Sequence, residues 1–400
     1  MKAPLEGITI LDLTQQMQGP WATVLLSDMG ADVIKVEDPV RGDGSRNYHI
    51  KDPKDYGGII AFYETLNRNK RSMTLDLKKP EGREVFYRLV KDADVVTSNF
   101  LVGVVERLGV DSQTLVKHNP RIITATATGW GKAGPDAGAP CLDIMGQARS
   151  GFAHLMANSA GLMFHAGVYG LLDCVGAMMF AYAIAIAIAN RERDGVGQDV
   201  EISQFGSALL LQAFPLGAHL IHGETPPPLR EANTNPMYSM YECADGKWIA
   251  FAGGQFEKNW PGFSRALGIE DLINQPGFQR QGRGAAFTTE MMEAVRRVFR
   301  TRPSGEWLRV LRENGVFGVP VQTYDDLLQD PQVLANEYIT EVQHPSGVRL
   351  KEIGVPFKFS RTPGRIKSAA PQYGEHTEEV LLAHGYTWEE IEALRARGAI

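Results

Sequence analysis

Ile8-Thr9-Ile10-Leu11-Asp12-Leu13, then Gly19-Pro20 opening the apolar run Trp21 to Met29, then Gly30 and Ala31-Asp32-Val33-Ile34-Lys35-Val36-Glu37, reads as strand, helix, strand. The outer segments are short and rich in Ile and Val, which suit a pleated, buried strand. The middle segment has proline in its first turn and glycine just past its end, the usual punctuation of a helix. Two strands joined by a crossover helix pair in parallel. The alternation continues downstream. Ser72 to Leu77 is a strand candidate, Pro80 to Lys91 a helix, Ala93 to Val96 a strand, Val102 to Leu108 a short helix and Arg121 to Ala127 a strand. The expectation is an α/β fold with a mostly parallel sheet, its ligand at the carboxyl ends of the strands.

Beyond that, Gly129 to Pro140 is Gly/Pro-rich and reads as a loop, Asp173 to Arg193 as a long helix, Gln198 to Ile202 as a strand and Ser203 to His219 as an apolar helix. Pro226-Pro227-Pro228 marks a boundary, because proline runs form extended spacers. After it, Met237 to Tyr241 and Trp248 to Phe251 flank the turn Asp245-Gly246 as a hairpin. Helices follow near Trp260 to Leu267, Thr288 to Phe299, Gly305 to Asn314 and Asp325 to Asp330, and a last one over Thr387 to Arg397. The expected division is a large α/β domain of residues 1–205 and 330–400, a linker of 206–235, and a small α+β domain of 236–329.

With 44% hydrophobic and 22% charged residues the chain is neither disordered nor collagen-like. Its 41 Lys+Arg against 47 Asp+Glu argue against nucleic acid as a partner. Cys141, Cys174 and Cys243 are few, odd in number and far apart, which fits a reducing cytoplasm and no metal. Val175 to Ala189 is shorter than the ~20 residues a membrane span needs, so a buried core helix and no membrane are expected.

Gly129-Trp130-Gly131-Lys132-Ala133-Gly134 matches G-x-G-x-x-G and follows a strand. Pro135, Gly138 and Pro140 prevent a helix from opening there, so the dinucleotide reading gives way to a plain loop. Asp173 begins the long helix and reads either as an N-cap or as a nucleophile kept ionised by the helix N-terminus. Lys70-Arg71 reads as a solvated turn or a phosphate contact, and Arg107, near a strand end, likewise. His165 has no metal spacing, and Met163, Met178 and Met179 read as core packing.

Taken together, the chain resembles the family III CoA-transferases, the CaiB/BaiF group. The resemblance rests on six stretches in order: Leu5 to Thr14 with Gly19-Pro20; Gly30 to Glu37 with Gly42-Asp43 and Arg46; Asn69 to Ser72 with Leu75 to Lys78 and Pro80 to Gly82; Ala93 to Val96 with Asn99-Phe100 and Arg107 to Gly109; Asp194 to Gln198; and Gly374 to Thr377. It implies a Rossmann-like large domain, a smaller α+β domain and an interlocked homodimer. The family's catalytic aspartate starts a long helix 25 positions before the Gln of a Gly-x-Gly-Gln turn, here Gln198, which lands on Asp173.

The implied activity is transfer of CoA from an acyl-CoA to a small carboxylic acid through an aspartyl-acyl anhydride on Asp173, with coenzyme A as substrate and no permanently bound cofactor. The implied CoA contacts are Gln16, Met17 and Gln18 in the first turn, then Leu75, Lys78, Asn99, Phe100, Arg107 and Asp143, with Lys78 and Arg107 on the phosphates. Three departures stand out. Asp38 takes the place of an adenine-stacking arginine, for which Arg41 or Arg46 could substitute, and a four-glycine lid is missing, Gly253-Gly254-Gln255 not being its equivalent. Leu142 stands where related racemases carry a proton-transferring histidine, which favours a transferase over an acyl-CoA racemase or isomerase. Asp173 itself argues against a non-catalytic acyl-CoA-binding subunit. Leu155, Met156, Leu162, Met163 and Phe164 hint at a medium-sized, partly apolar acid.

Overall fold

The computed structural model describes residues 2–48, 58–156, 169–224, 235–253, 255–276, 278–281 and 284–400. The described residues form two units, one drawn from those in 2–156, 169–224 and 334–400, the other from those in 235–333. His165, Leu162, Met163, Phe164, Pro226-Pro227-Pro228 and Gly254 lie outside the described residues.

In the first unit, strands β1 (Thr9–Asp12), β2 (Asp32–Glu37), β3 (Lys70–Thr74), β4 (Val95–Ser98), β5 (Ile123–Thr128) and β6 (Asp199–Ser203) form one sheet. Their order is β3-β2-β1-β4-β5-β6 and every pairing is parallel. This is the doubly wound order, whose switch point lies between β1 and β4. The helices up to the second unit are α1 (Gln18–Asp28), α2 (Ala61–Asn67), α3 (Pro80–Val90), α4 (Val104–Leu108), α5 (Ser112–Leu115), α6 (Asp143–Arg149), α7 (Phe152–Leu155), α8 (Leu171–Asp194), α9 (Gln204–Leu211) and α10 (Ala213–His222).

Alternation along each strand sends neighbouring side chains to opposite faces. Leu11, Ile34 and Val96 join a core with α3, while Ile10, Val33 and Val95 join another with α1 and α8. Burial on both faces explains why β1 and β2 read as nearly continuous apolar runs.

Three expectations are corrected here. Lys70 and Arg71 belong to β3 and are neither a turn nor a phosphate contact. Lys70 is fully buried, its Nζ bonded to Asp12 Oδ2 (3.1 Å), Pro20 O and Asn67 Oδ1, and Arg71 pairs with Asp32 and Glu379. The helix read over Ser203 to His219 is two helices that meet at Gln212, so residues 206–222, drawn as the start of the linker, are helical. Finally, α8 is buried on one face only, through Leu172, Gly176, Ala177, Phe180, Ala181, Ile184 and Ile188. Met178, Tyr182 and Ile186 lie on its opposite stripe and are exposed, so Met178 is not core. By length and composition alone α8 could cross a membrane, but its apolar character serves a packed face and a second, open one.

The second unit holds β7 (Tyr238–Glu242), β8 (Trp248–Ala252), α11 (Phe256–Leu267), β9 (Gln279–Gln281), β10 (Gly284–Ala286), α12 (Thr289–Phe299), α13 (Ser304–Glu313), β11 (Gly318–Pro320) and α14 (Tyr324–Leu327). Its three-stranded antiparallel sheet, β11-β8-β7, shares an aromatic core with the helices through Tyr241, Phe251, Phe263, Phe299 and Trp307. It is an α+β unit. The chain then passes α15 (Pro331–Ala335), the hairpin β12 (Ile339–Gln343) and β13 (Arg349–Ile353), α16 (Thr377–Ala383) and α17 (Trp388–Ala396). In the first unit, Val380, Leu381 and Ile391 of the last two helices complete the core on the α3 side.

Candidate active site

The carboxyl ends of β1 and β4 carry the first turn and Asn99-Phe100. Asn99 clamps that turn: its Oδ1 accepts from Gln15 N (2.8 Å) and its Nδ2 donates to Gln15 O (2.7 Å). Asp43 accepts from Gln16 N (3.0 Å), and buried Lys35 ties Asp43 Oδ2 (2.6 Å) to Thr14 O (3.0 Å). The clamp holds Gln16 at φ 67°, a left-handed conformation that a non-glycine residue rarely adopts unless its surroundings fix it.

A cavity of about 220 Å³ opens there. Gln16, Met17, Gln18, Asn99 and Phe100 line it, with Gly129, Cys141, Leu142, Asp173 and Gln204 opposite. A second cavity, of about 520 Å³, is lined by Gln15, Asp38, Arg41, Leu75, Lys78, Arg83, Phe100 and Arg107. Phe100 lines both. The expected contact residues therefore fall into two neighbouring groups, Gln16, Met17, Gln18 and Asn99 beside Asp173, and Leu75, Lys78 and Arg107 in the cationic cavity.

Asp173 is the third residue of α8 and not its N-cap, which is Gly170. The capping carboxylate is Asp143, the first residue of α6: its Oδ1 accepts from Leu172 N (2.6 Å) and Asp173 N (3.3 Å). Asp143 was expected among the CoA contacts. It lines neither cavity; with Oδ2 bonded to Gln147 (2.5 Å), it serves the helix. The Asp173 side chain takes its hydrogen bond from Gln204 Nε2 to Oδ1 (2.6 Å), and Oδ2 has no partner among the described residues. Gln204 is buried and accepts from Cys141 Sγ (3.0 Å).

Burial and then the charge of Asp143 push the Asp173 carboxyl up to about 6, against the pull of the Gln204 hydrogen bond. The helix N-terminus does not hold it low, as the sequence led one to expect, because Asp143 occupies the free N–H groups. Even so, a carboxyl near 6 is mostly ionised at neutral pH. Cys141 is the other titratable group on this cavity, and burial with the carboxylates of Asp173 and Asp143 pushes its thiol up to about 11. Leu142, 69% exposed, lines the same cavity and carries no group that can transfer a proton.

In the second cavity Lys78 pairs with Asp38 (2.7 Å), leaving Arg41, Arg83 and Arg107 as further cations on its wall. Of the two candidates to replace the missing adenine-stacking arginine, Arg41 lines this cavity. Arg46 is committed elsewhere, bonded to Glu37 (2.7 Å) and stacked on the Tyr63 ring. Among the described residues no cluster of His, Cys, Asp and Glu could hold a metal ion. Gln204 is a cavity residue that sequence reasoning missed. The available signal was position, since Gln204 follows β6 at the sheet's carboxyl edge.

The sequence matches the CoA-transferase family III over residues 5–377. It is 31% identical over 388 residues to a succinate–glutarate CoA-transferase of Agrobacterium fabrum, covering 95% of each chain. It is 34% identical to a succinyl-CoA:mesaconate CoA-transferase of Haloarcula marismortui, covering 94% of this chain and 95% of the other. Its fold is similar to that of a CaiB/BaiF family protein from Brucella suis, with a TM-score of 0.82 and 28% identity over 96% of this chain and all of the other. The parallel-sheet unit and the smaller α+β unit match the CaiB/BaiF fold. The chain belongs to CoA-transferase family III. It is a transferase, and coenzyme A esters are its substrates.

Proposed function

We propose that the protein moves CoA from an acyl-CoA donor to a small carboxylic acid by way of an acyl anhydride on Asp173. One observation carries this reading: a carboxylate on the wall of a cavity at the switch point of the sheet, fixed through Oδ1 by Gln204 and with no partner on Oδ2 among the described residues. Oδ2 attacks the thioester carbonyl, the carbonyl electron pair moves onto oxygen, and its return expels the CoA thiolate. The acceptor carboxylate then attacks the aspartyl carbonyl and expels the donor acid as its carboxylate, and the thiolate attacks the acceptor's acyl carbon, forming the product ester and restoring the Asp173 carboxylate. Thioester and anhydride are similarly activated, so no nucleotide is consumed. A carboxyl near 6 is more basic than a free aspartate yet ionised at pH 7, which suits a nucleophile.

In this reading Lys78, Arg83, Arg107 and Arg41, which line one cavity, meet the phosphates of CoA, a local cationic site on a chain of net charge −6. Gln16, Met17, Gln18, Asn99 and Phe100 then flank the thioester end. The interlocked homodimer that the family resemblance implies is supported by the open apolar surface of α8 to α10, where Tyr182, Phe214, Leu220 and Ile221 are all more than half exposed. Three free cysteines fit the cytoplasm.

The test is a panel of acetyl-CoA, succinyl-CoA and glutaryl-CoA, each incubated without nucleotide with succinate, glutarate and mesaconate, and read by mass spectrometry of the CoA esters. The reading expects a new ester matched to the acceptor, lost in Asp173→Asn. An ester whose Cα exchanges with deuterated water while no CoA moves would replace it with the racemase reading.

A further inference from the structure

Gln18 is the first residue of α1 and is 8% exposed, and its Nε2 is fully buried with no hydrogen-bond partner. The carboxamide lies against Gly176, one turn along α8 from Asp173. A Cβ on Gly176 would stand 2.1 Å from Nε2, so the glycine makes room for this group. Gln18 lines the same cavity as Asp173. Residues three apart on a helix are neighbours on its surface, so the amide sits beside the nucleophile.

Buried amide donors are nearly always paired, and an unpaired donor is rarer than an unpaired carbonyl oxygen. Turned half a revolution about its last bond, the carboxamide would lay its oxygen against Gly176 and its NH2 group toward the cavity. An acceptor held above Asp173 would then complete it.

We infer that Gln18 is a further catalytic residue, whose side-chain amide donates to the carbonyl oxygen of the acyl group as Asp173 attacks it. The inference rests on the nucleophile assignment above. When Oδ2 bonds to the acyl carbon, the carbonyl π pair becomes a lone pair on oxygen, and an N–H placed there stabilises that charge until the C–S bond breaks. The donor serves any acyl-CoA, because every thioester carries that oxygen.

The test is Gln18→Leu, assayed with whichever acyl-CoA of the panel gives the fastest turnover. It should lower kcat by about 10²- to 10³-fold, as expected for loss of one such donor, with CoA affinity within a few-fold of the parent. A second readout does not depend on turnover. In Asp173→Asn, the infrared carbonyl band of the bound thioester should lie below its frequency in water, and adding Gln18→Leu should return it upward. An unshifted band in Asp173→Asn, or a kcat within twofold of the parent in Gln18→Leu, overturns the inference. Full activity in Asp173→Asn instead overturns the nucleophile reading, so the two failures are told apart. If Gln18→Leu does not fold, Gln18→Met gives the same decision: its unbranched side chain fills the same place without a donor, and kcat should fall comparably.

Discussion

The Asp173 carboxylate lies between two neighbours that pull its proton affinity in opposite directions. Asp143 raises it and Gln204 lowers it, on top of burial. The acid limb of kcat/KM should therefore centre near 6, with activity falling about tenfold per pH unit below it as the nucleophile is protonated. Gln204→Leu should move that limb up and Asp143→Asn should move it down; a limb unmoved by both means that another group sets it. Folding raises the Asp173 pKa from 3.8, so the protonated form is the one the fold favours. That contribution is complete below about 3.8 and lost as pH rises through about 6. Asp173→Asn should thus be more stable than the parent by about 1–3 kcal/mol at pH 8, and equal to it near pH 3.5, in chemical denaturation. Asp173 was legible through the family resemblance, from its spacing to Gln198. Its partners were not, because Gln204 and Asp143 stand 31 and 30 positions away and meet it only once α6, α8 and α9 are packed.

The strands and helices of the first βαβ unit could be read from their apolar periods and their Pro and Gly punctuation. Where local patterns failed, buried charge was the cause. Lys70 looked like a surface residue, yet it closes a network under β1 and β3 with Asp12, which also accepts from the hydroxyls of Thr14, Thr23 and Thr97. Removing one partner of such a pair leaves the other charge stranded, so Lys70→Met should cost about 3–5 kcal/mol in urea unfolding. A loss under 1 kcal/mol would mean that Asp12 is satisfied without it. The hairpin β12–β13 went unread because its strands are exposed on one side and rich in charge, Glu341 and Lys351 among them, which blurs a two-residue period. The tail helix α16 was missed because it is only seven residues long and carries Glu378 and Glu379 in its first turn, so the segment reads as polar.

For the whole molecule, the parallel sheet followed from the alternation of strands and helices, whereas its strand order and the open apolar faces of α8 and α10 did not. Phe214 is 83% exposed and Leu220 75%, more apolar surface than a lone chain leaves open without reason. Light scattering should therefore give about twice 44.0 kDa, independent of salt, and a mass of one chain at micromolar concentration would refute the dimer. Every part of the account depends on whether Asp173 is acylated. The protein should be mixed with each acyl-CoA, quenched with hydroxylamine and mapped by peptide mass spectrometry. The account predicts a hydroxamate on Asp173 with at least one donor and none on any other Asp or Glu. Turnover of that donor with Asp173 unmodified would contradict it.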